Sequence, residues 1–165
     1  MQIRKTVLNE LELIQAIYDE ARQYMRDNGN SHQWVNGYPS DELLKKDIAE
    51  GISYVCIDQG EIVGVFTFSI GEDETYKKIY DGQWLNEKTY GVIHRLGVSS
   101  AKKGVGTVCL DWCFQQIPNI RVDTHEANVP MQKLLMKNGY QKCGIIYVND
   151  GTPRAAFQKT IDSVM

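Results

Sequence analysis

Residues 91 to 112 read GVIHRLGVSSAKKGVGTVCLDW, and this stretch constrains the fold more tightly than any other. Val92, Ile93, Leu96 and Val98 favour an extended, half-buried backbone. Ser99 to Gly106 is small, basic and glycine-containing, and Val108, Leu110 and Trp112 then follow with no breaker. That is a strand, a tight loop and a helix in direct succession. With NIRVDT, residues 119 to 124, as the next strand, the unit should be parallel with a right-handed crossover. Its Ser99 to Gly106 loop then lies at the carboxyl edge of the sheet, where ligands are commonly bound.

The flanking sequence supplies the rest of an α/β fold. Residues 2 to 7 read as a first strand, and Asn9 with Glu12 resembles a capping box opening a helix that Gly29 closes. Ser40, followed by Asp41 and Glu42, caps a second helix ending at Gly51. ISYVCID and IVGVFTFSI, joined by QGE, read as an antiparallel hairpin. Residues 71 to 89 are polar and suit a long surface connection. After residue 124, a helix runs from Asn128 to Asn138 with Pro130 near its start and Gly139 at its end. Two final strands flank the turn Asn149-Asp150-Gly151. The predicted order is strand, two helices, three strands, helix, strand, helix and two strands, which makes a mixed sheet.

Composition narrows the function classes. A chain of 165 residues is expected to form one domain, residues 1 to 165, around one core. Its net charge of -3 argues against a broad phosphate-backbone footprint, so no nucleic-acid partner is expected. No apolar run approaches the roughly 18 residues of a membrane span, and the opening MQIRKTVLNE lacks a secretory pattern. No membrane partner is expected, and the expected compartment is the cytoplasm. Cys56, Cys109, Cys113 and Cys143 form no CxxC pair and read as buried thiols, with no metal site expected.

The loop itself suits an anion. Gly104 and Gly106 let backbone N–H groups approach a ligand, the following helix N-terminus favours negative charge, and Lys102 and Lys103 add positive charge. A Walker-type loop requires lysine directly after the second glycine, where Thr107 stands. A dinucleotide fingerprint requires a third glycine where Cys109 stands, although Asp123 falls at the distance of a ribose ligand.

IHRLGV leading into KKGVGT, then RVDTHEANVPMQKLLMKNGY and CGIIYVNDGTPRAAFQK, resembles the acetyl-CoA-dependent N-acetyltransferases of the GNAT superfamily. Gly104 and Gly106 take that family's loop glycine places, while Ala101 stands where the family has glutamine or arginine. Gln33-Trp34, Tyr38-Pro39 and Gly64 extend the likeness to a bacterial small-molecule or peptide subgroup. The resemblance implies a mostly antiparallel mixed sheet with a central splayed parallel strand pair and helices on both faces. It also implies acetyl-CoA as co-substrate. Backbone groups of Leu96, Gly97 and Val98 would bond the pantetheine arm like an added strand. The amides of Lys103, Gly104, Val105, Gly106 and Thr107 would cradle the pyrophosphate. Asn128 would bond the pantetheine or cap its own helix.

Acetyl transfer to an amine needs a neutral amine, a polarised carbonyl and a proton for the leaving thiolate. A backbone N–H near Val98 is the expected carbonyl donor. Many family members carry the thiolate's acid as a tyrosine four residues before the helix-ending glycine, and here Leu135 holds that place, leaving Tyr140 and Tyr147 nearby in sequence. His94, Asp123 and His125 are the candidates for receiving the amine proton. Trp34, Tyr38, Tyr80 and Trp84 are candidate substrate walls, and Glu72, Asp73 and Glu74 could attract a cationic amine. The expected partner is a small-molecule or peptide amine, with a monomer and a homodimer both compatible. A GNAT-like binding module without turnover, and a dinucleotide-dependent oxidoreductase, are the competing readings.

Overall fold

The computed structural model describes residues 1 to 161 of the chain. The order of elements is the one the sequence predicts. β1 (Gln2–Lys5) is followed by α1 (Leu11–Asp27), α2 (Asp41–Ala49), β2 (Ser53–Asp58), β3 (Glu61–Ile70) and β4 (Gly91–Val98). Then come α3 (Val105–Gln116), β5 (Asn119–Thr124), α4 (Val129–Lys137), β6 (Gln141–Tyr147) and β7 (Pro153–Thr160). β1 with β2, β2 with β3, β5 with β7 and β6 with β7 pair antiparallel, while β4 and β5 pair parallel through Gly91↔Ile120 and Val92↔Arg121. The sheet is therefore mixed and mostly antiparallel.

Two local starts differ in mechanism. Ser40 caps α2 as expected, its Oγ accepting from the Leu43 N–H at 3.2 Å. α1 is not opened by Asn9. A 3-10 turn, Leu8–Glu10, precedes it, and the Glu10 carboxylate accepts the Val7 N–H at 2.9 Å while taking the Arg4 fork at 3.0 and 2.7 Å. A carboxylate held by a guanidinium is a stronger anchor than a neutral amide, so the acidic side chain one residue on wins the role.

The chain divides into two compact units, Met1–Phe68 with His94–Trp112 and Ser69–Ile93 with Cys113–Met165. The first holds the order β1-β2-β3-β4. Its core joins Ile14, Ile17 and Tyr18 of α1 to Leu44 of α2 and to Val55 and Val65 of the hairpin. An aromatic group of Tyr54, Phe66, Phe68 and Trp112 fixes α3 on the hairpin, with the Tyr54 and Trp112 centroids 4.8 Å apart. The second unit holds β4-β5-β7-β6. There Tyr76, Tyr90, Val92, Ile146 and Ala156 make the core. The Arg121 guanidinium lies 4.3 Å from the Trp84 ring and 4.0 Å from the Tyr90 ring, tying the long 71 to 90 connection to β5. All four cysteines are buried thiols outside any disulfide. Among the described residues, no helix is long and apolar enough to cross a membrane.

Candidate functional site

In the first unit, the last half of β4 runs into the glycine loop and α3. Gly104 accepts the Val108 N–H at 3.1 Å, which makes it the residue that opens the helix. A glycine there offers no side-chain oxygen to the first-turn donors, which have no carbonyl of their own helix to meet. Gly104 adopts φ 81, and no atom lies within 4 Å of the place a Cβ would occupy. The mouth of α3 is thus open where an anion would sit, so the residues present fit a diphosphate. Val105 is buried and packs over Gly64 of β3, seating the helix start on the sheet.

The two lysines of the loop are not equivalent. Lys102 Nζ lies 2.6 Å from Asp58 Oδ2, so its charge is already partnered. Lys103 is exposed. At the loop's start, the Ser100 N–H donates to Glu20 Oε1 of α1 at 2.7 Å, and the Ser100 hydroxyl contacts the same oxygen.

β4 departs from regular strand geometry. Arg95 adopts φ 52, the left-handed region, in mid-strand. The Thr67 hydroxyl donates to the His94 carbonyl at 3.1 Å and the Tyr18 hydroxyl to the Arg95 carbonyl at 2.7 Å. Ser99 rejoins β3 through its N–H to the Val63 carbonyl at 2.8 Å. Leu96 and Val98 are half-buried and Gly97 is buried. The Arg95 guanidinium forks onto buried Asp47 of α2 and donates to the Tyr38 hydroxyl at 3.2 Å. Burial pushes the Asp47 carboxyl up, and the guanidinium opposes it. Asp47, Arg95, Tyr18 and Glu20 escaped the sequence reading. The legible signal was Asp47 itself, an aspartate three residues after Leu44 on the apolar stripe of α2.

Trp34 packs edge-on against Tyr18, centroids 5.4 Å apart, so its ring is half-buried beside the core. Tyr38 is exposed, its carbonyl accepting from Arg22 at 3.0 Å.

In the second unit, Asp123 lies near the end of β5 and its Oδ1 accepts from the Tyr76 hydroxyl at 2.6 Å. Burial, and then the Asp123 charge, push the Tyr76 phenol well above its ordinary range. It is a fixed donor and not an acid. Tyr76 falls in the polar 71 to 89 stretch and is not among the candidates the sequence offers. His125 Nδ1 accepts from the Ala127 N–H at 3.0 Å, which places the ring proton of the neutral form on Nε2. Asn128 caps α4, its Oδ1 accepting from the Met131 N–H at 3.2 Å. Capping is the one of its two expected roles that this hydrogen bond shows. Leu135 and Tyr140 are both buried. Tyr80 and Tyr147 are exposed and meet edge-on at 5.2 Å beside Glu74, Lys77 and Lys78. Trp84 donates from Nε1 to the Tyr76 carbonyl at 2.9 Å, so its ring braces the connection.

The comparisons with known proteins bear on the family and the fold. The family model described as Acetyltransferase (GNAT) family matches residues 14–140. A crystal structure of a GNAT family acetyltransferase from Streptococcus agalactiae 2603 is 36% identical, with a TM-score of 0.88 over 96% of this chain and 94% of that one. One from Bacillus cereus ATCC 10987 is 21% identical, with a TM-score of 0.63 over 97% of each chain. AAC(6')-Ib, solved in complex with ribostamycin and coenzyme A, shares the fold at 16% identity, with a TM-score of 0.65 over 99% of this chain and 94% of that one. The search of curated proteins found no match. With a family model covering most of its length and a relative above 30% identity along nearly all of it, the chain belongs to the GNAT family of acetyltransferases.

Proposed function

We propose that residues 1 to 165 work as one cytoplasmic domain that moves the acetyl group of acetyl-CoA to a primary amine of a small molecule or peptide. The amine attacks directly in a ternary complex. The observation that carries the reading is the start of α3 at Gly104, whose φ of 81 and empty Cβ side leave room for an anion at the positive end of the helix. In that reading the amides from Lys103 to Thr107 hold the diphosphate. Leu96, Gly97 and Val98 present backbone groups to the pantetheine arm, and a fixed N–H near Val98 polarises the thioester carbonyl. AAC(6')-Ib was solved with coenzyme A and with an aminoglycoside, which supports a coenzyme A donor and a small amine acceptor on this fold.

Asp123 is the better candidate for receiving the amine. Its carboxylate is oriented by Tyr76, whereas His125 would have to give up its Ala127 contact to take a proton at Nδ1. Tyr38, Trp34, Tyr80 and Trp84 are the candidate walls for the acceptor, of which Tyr38 and Tyr80 are exposed.

One observation favours a second reading, a module that binds coenzyme A without turnover. Leu135, fully buried, stands where the resemblance puts the acid. Calorimetry with coenzyme A, followed by a thiol-release assay over a panel of amines with mass detection of the product, separates the two. Binding with thiol release and a product heavier by one acetyl unit supports the enzyme. Binding with no release across the panel supports the module, and no binding removes both.

A further inference from the structure

The left-handed residue in β4 is not a glycine, and an arginine held there costs about 1 kcal/mol or more. Such a residue persists only where its surroundings over-determine it. Here four side chains do so. Tyr18 holds the Arg95 carbonyl at 2.7 Å, and Thr67 holds the preceding carbonyl of His94 at 3.1 Å. Asp47 takes the guanidinium at 3.0 Å (Nε to Oδ2) and 2.8 Å (Nη2 to Oδ1). Tyr38 accepts the remaining arm at 3.2 Å. Two residues on, Gly97 lies so close to Tyr18 that a Cβ would stand 3.2 and 3.3 Å from its ring.

The Asp47 side chain is only 3% exposed, on the face of α2 that also buries Leu44. An apolar residue there would pack without a desolvation cost, so the buried pair is poorly explained as a stability device. What the pair does hold is the conformation of Arg95. A left-handed residue inside an extended run re-aims the peptide groups that follow it. Those groups belong to Leu96, Gly97 and Val98.

We propose that Asp47, acting through the Arg95 guanidinium, is a positioning residue that holds this turn and so aims the backbone amides after it at the thioester and its carrier arm. The inference rests on the function proposed above and adds to it the side-chain pair that fixes the geometry. It makes a specific claim about substitutions, because glycine adopts a positive φ freely and alanine does not.

The test compares Arg95→Ala, Arg95→Gly, Asp47→Asn and the double variant Asp47→Asn/Arg95→Gly in steady-state kinetics with acetyl-CoA, with thermal melting of each. A misplacement of the reacting geometry by about 1 Å costs on the order of a hundredfold in rate. Arg95→Ala is therefore expected to lose kcat by about tenfold to a hundredfold, with a smaller change in coenzyme A affinity. Arg95→Gly should recover a large part of that loss although it lacks the guanidinium. Asp47→Asn should lower kcat when Arg95 is present and leave it unchanged when residue 95 is glycine. A folded Arg95→Ala with the kcat of the parent overturns the proposal, as do equal losses in the alanine and glycine variants. Should Arg95→Ala fail to fold, the Asp47→Asn comparison decides alone, and equal effects in both backgrounds overturn the proposal. Parent protein that turns over acetyl-CoA while these variants stay indifferent sinks this inference only. Parent protein with no turnover sinks the functional reading and this inference together.

Discussion

The Tyr76 hydroxyl donates to Asp123 Oδ1 at 2.6 Å, joining a fully buried phenol in the 71 to 90 connection to a carboxylate near the end of β5. A hydrogen bond to a charged acceptor contributes about 1.5–3 kcal/mol. Tyr76→Phe should therefore lower unfolding free energy by an amount at the lower end of that range, because half-buried Asp123 can recover water. Urea unfolding of the variant checks it. A loss indistinguishable from zero would mean that the phenol packs there without orienting the carboxylate.

The same burial sets an alkaline limit. Desolvation pushes the phenols of Tyr18 and Tyr76 well above their ordinary range. Unfolded, each ionises near pH 10 (about). For an acid raised on folding, the stability it contributes is whole below the unfolded value and is lost as pH rises past it. Unfolding free energy should thus fall above about pH 10, with each of these phenols contributing a slope of about 1.4 kcal/mol per pH unit. Absorbance titration of the folded protein should show that these two of its nine tyrosines stay protonated above that pH. Tyr76→Phe should flatten the stability decline by one proton. An unchanged slope would place the linked group elsewhere.

The elements of the fold were legible because each rests on local signals. Ser40 caps α2 through its hydroxyl, Gly104 opens α3 and Asn128 caps α4, all within three or four residues of the groups they serve. What escaped the sequence joins distant positions. Arg95 meets Asp47 across 48 residues and Tyr18 across 77, and Tyr76 meets Asp123 across 47. No periodicity encodes such pairs. The aromatic candidates show the same limit, since composition picked out Trp34 and Trp84 as large rings in loops and only tertiary contacts reveal how each is braced.

Loop charge gives a third prediction. Lys102 already sits 2.6 Å from Asp58, whereas Lys103 is exposed beside the open helix mouth. If the loop grips a diphosphate, Lys103→Ala should weaken coenzyme A binding by about threefold to tenfold and reduce its salt dependence, in keeping with a charge at the edge of solvent. Lys102→Ala should do less, and Asp58→Asn, which releases Lys102, should tighten binding. Calorimetry at low and high salt reads all three. Weaker binding in Asp58→Asn would show that the ion pair shapes the loop instead of competing with the ligand.

Gly64 of β3 and Val105 of α3 give the last prediction, which tests how the helix mouth is seated. A Cβ at Gly64 would lie 2.8 Å from Val105 Cγ1, 3.4 Å from Cys56 Cβ and 3.6 Å from Cys109 Sγ. Val105 is β-branched at the first turn of a helix, so its methyl cannot swing aside without leaving its rotamer. The helix start must shift instead. Gly64→Ala should cost about 1–3 kcal/mol of stability, the usual range for overpacking. It should also weaken coenzyme A binding, because the displaced residues are those proposed above to present their amides to the diphosphate. Removing the obstructing methyls in Gly64→Ala/Val105→Ala should restore binding toward the parent value even where stability is only partly regained. Binding that follows stability through both variants, with no separate recovery, would mean that the seating of α3 on Gly64 serves folding alone.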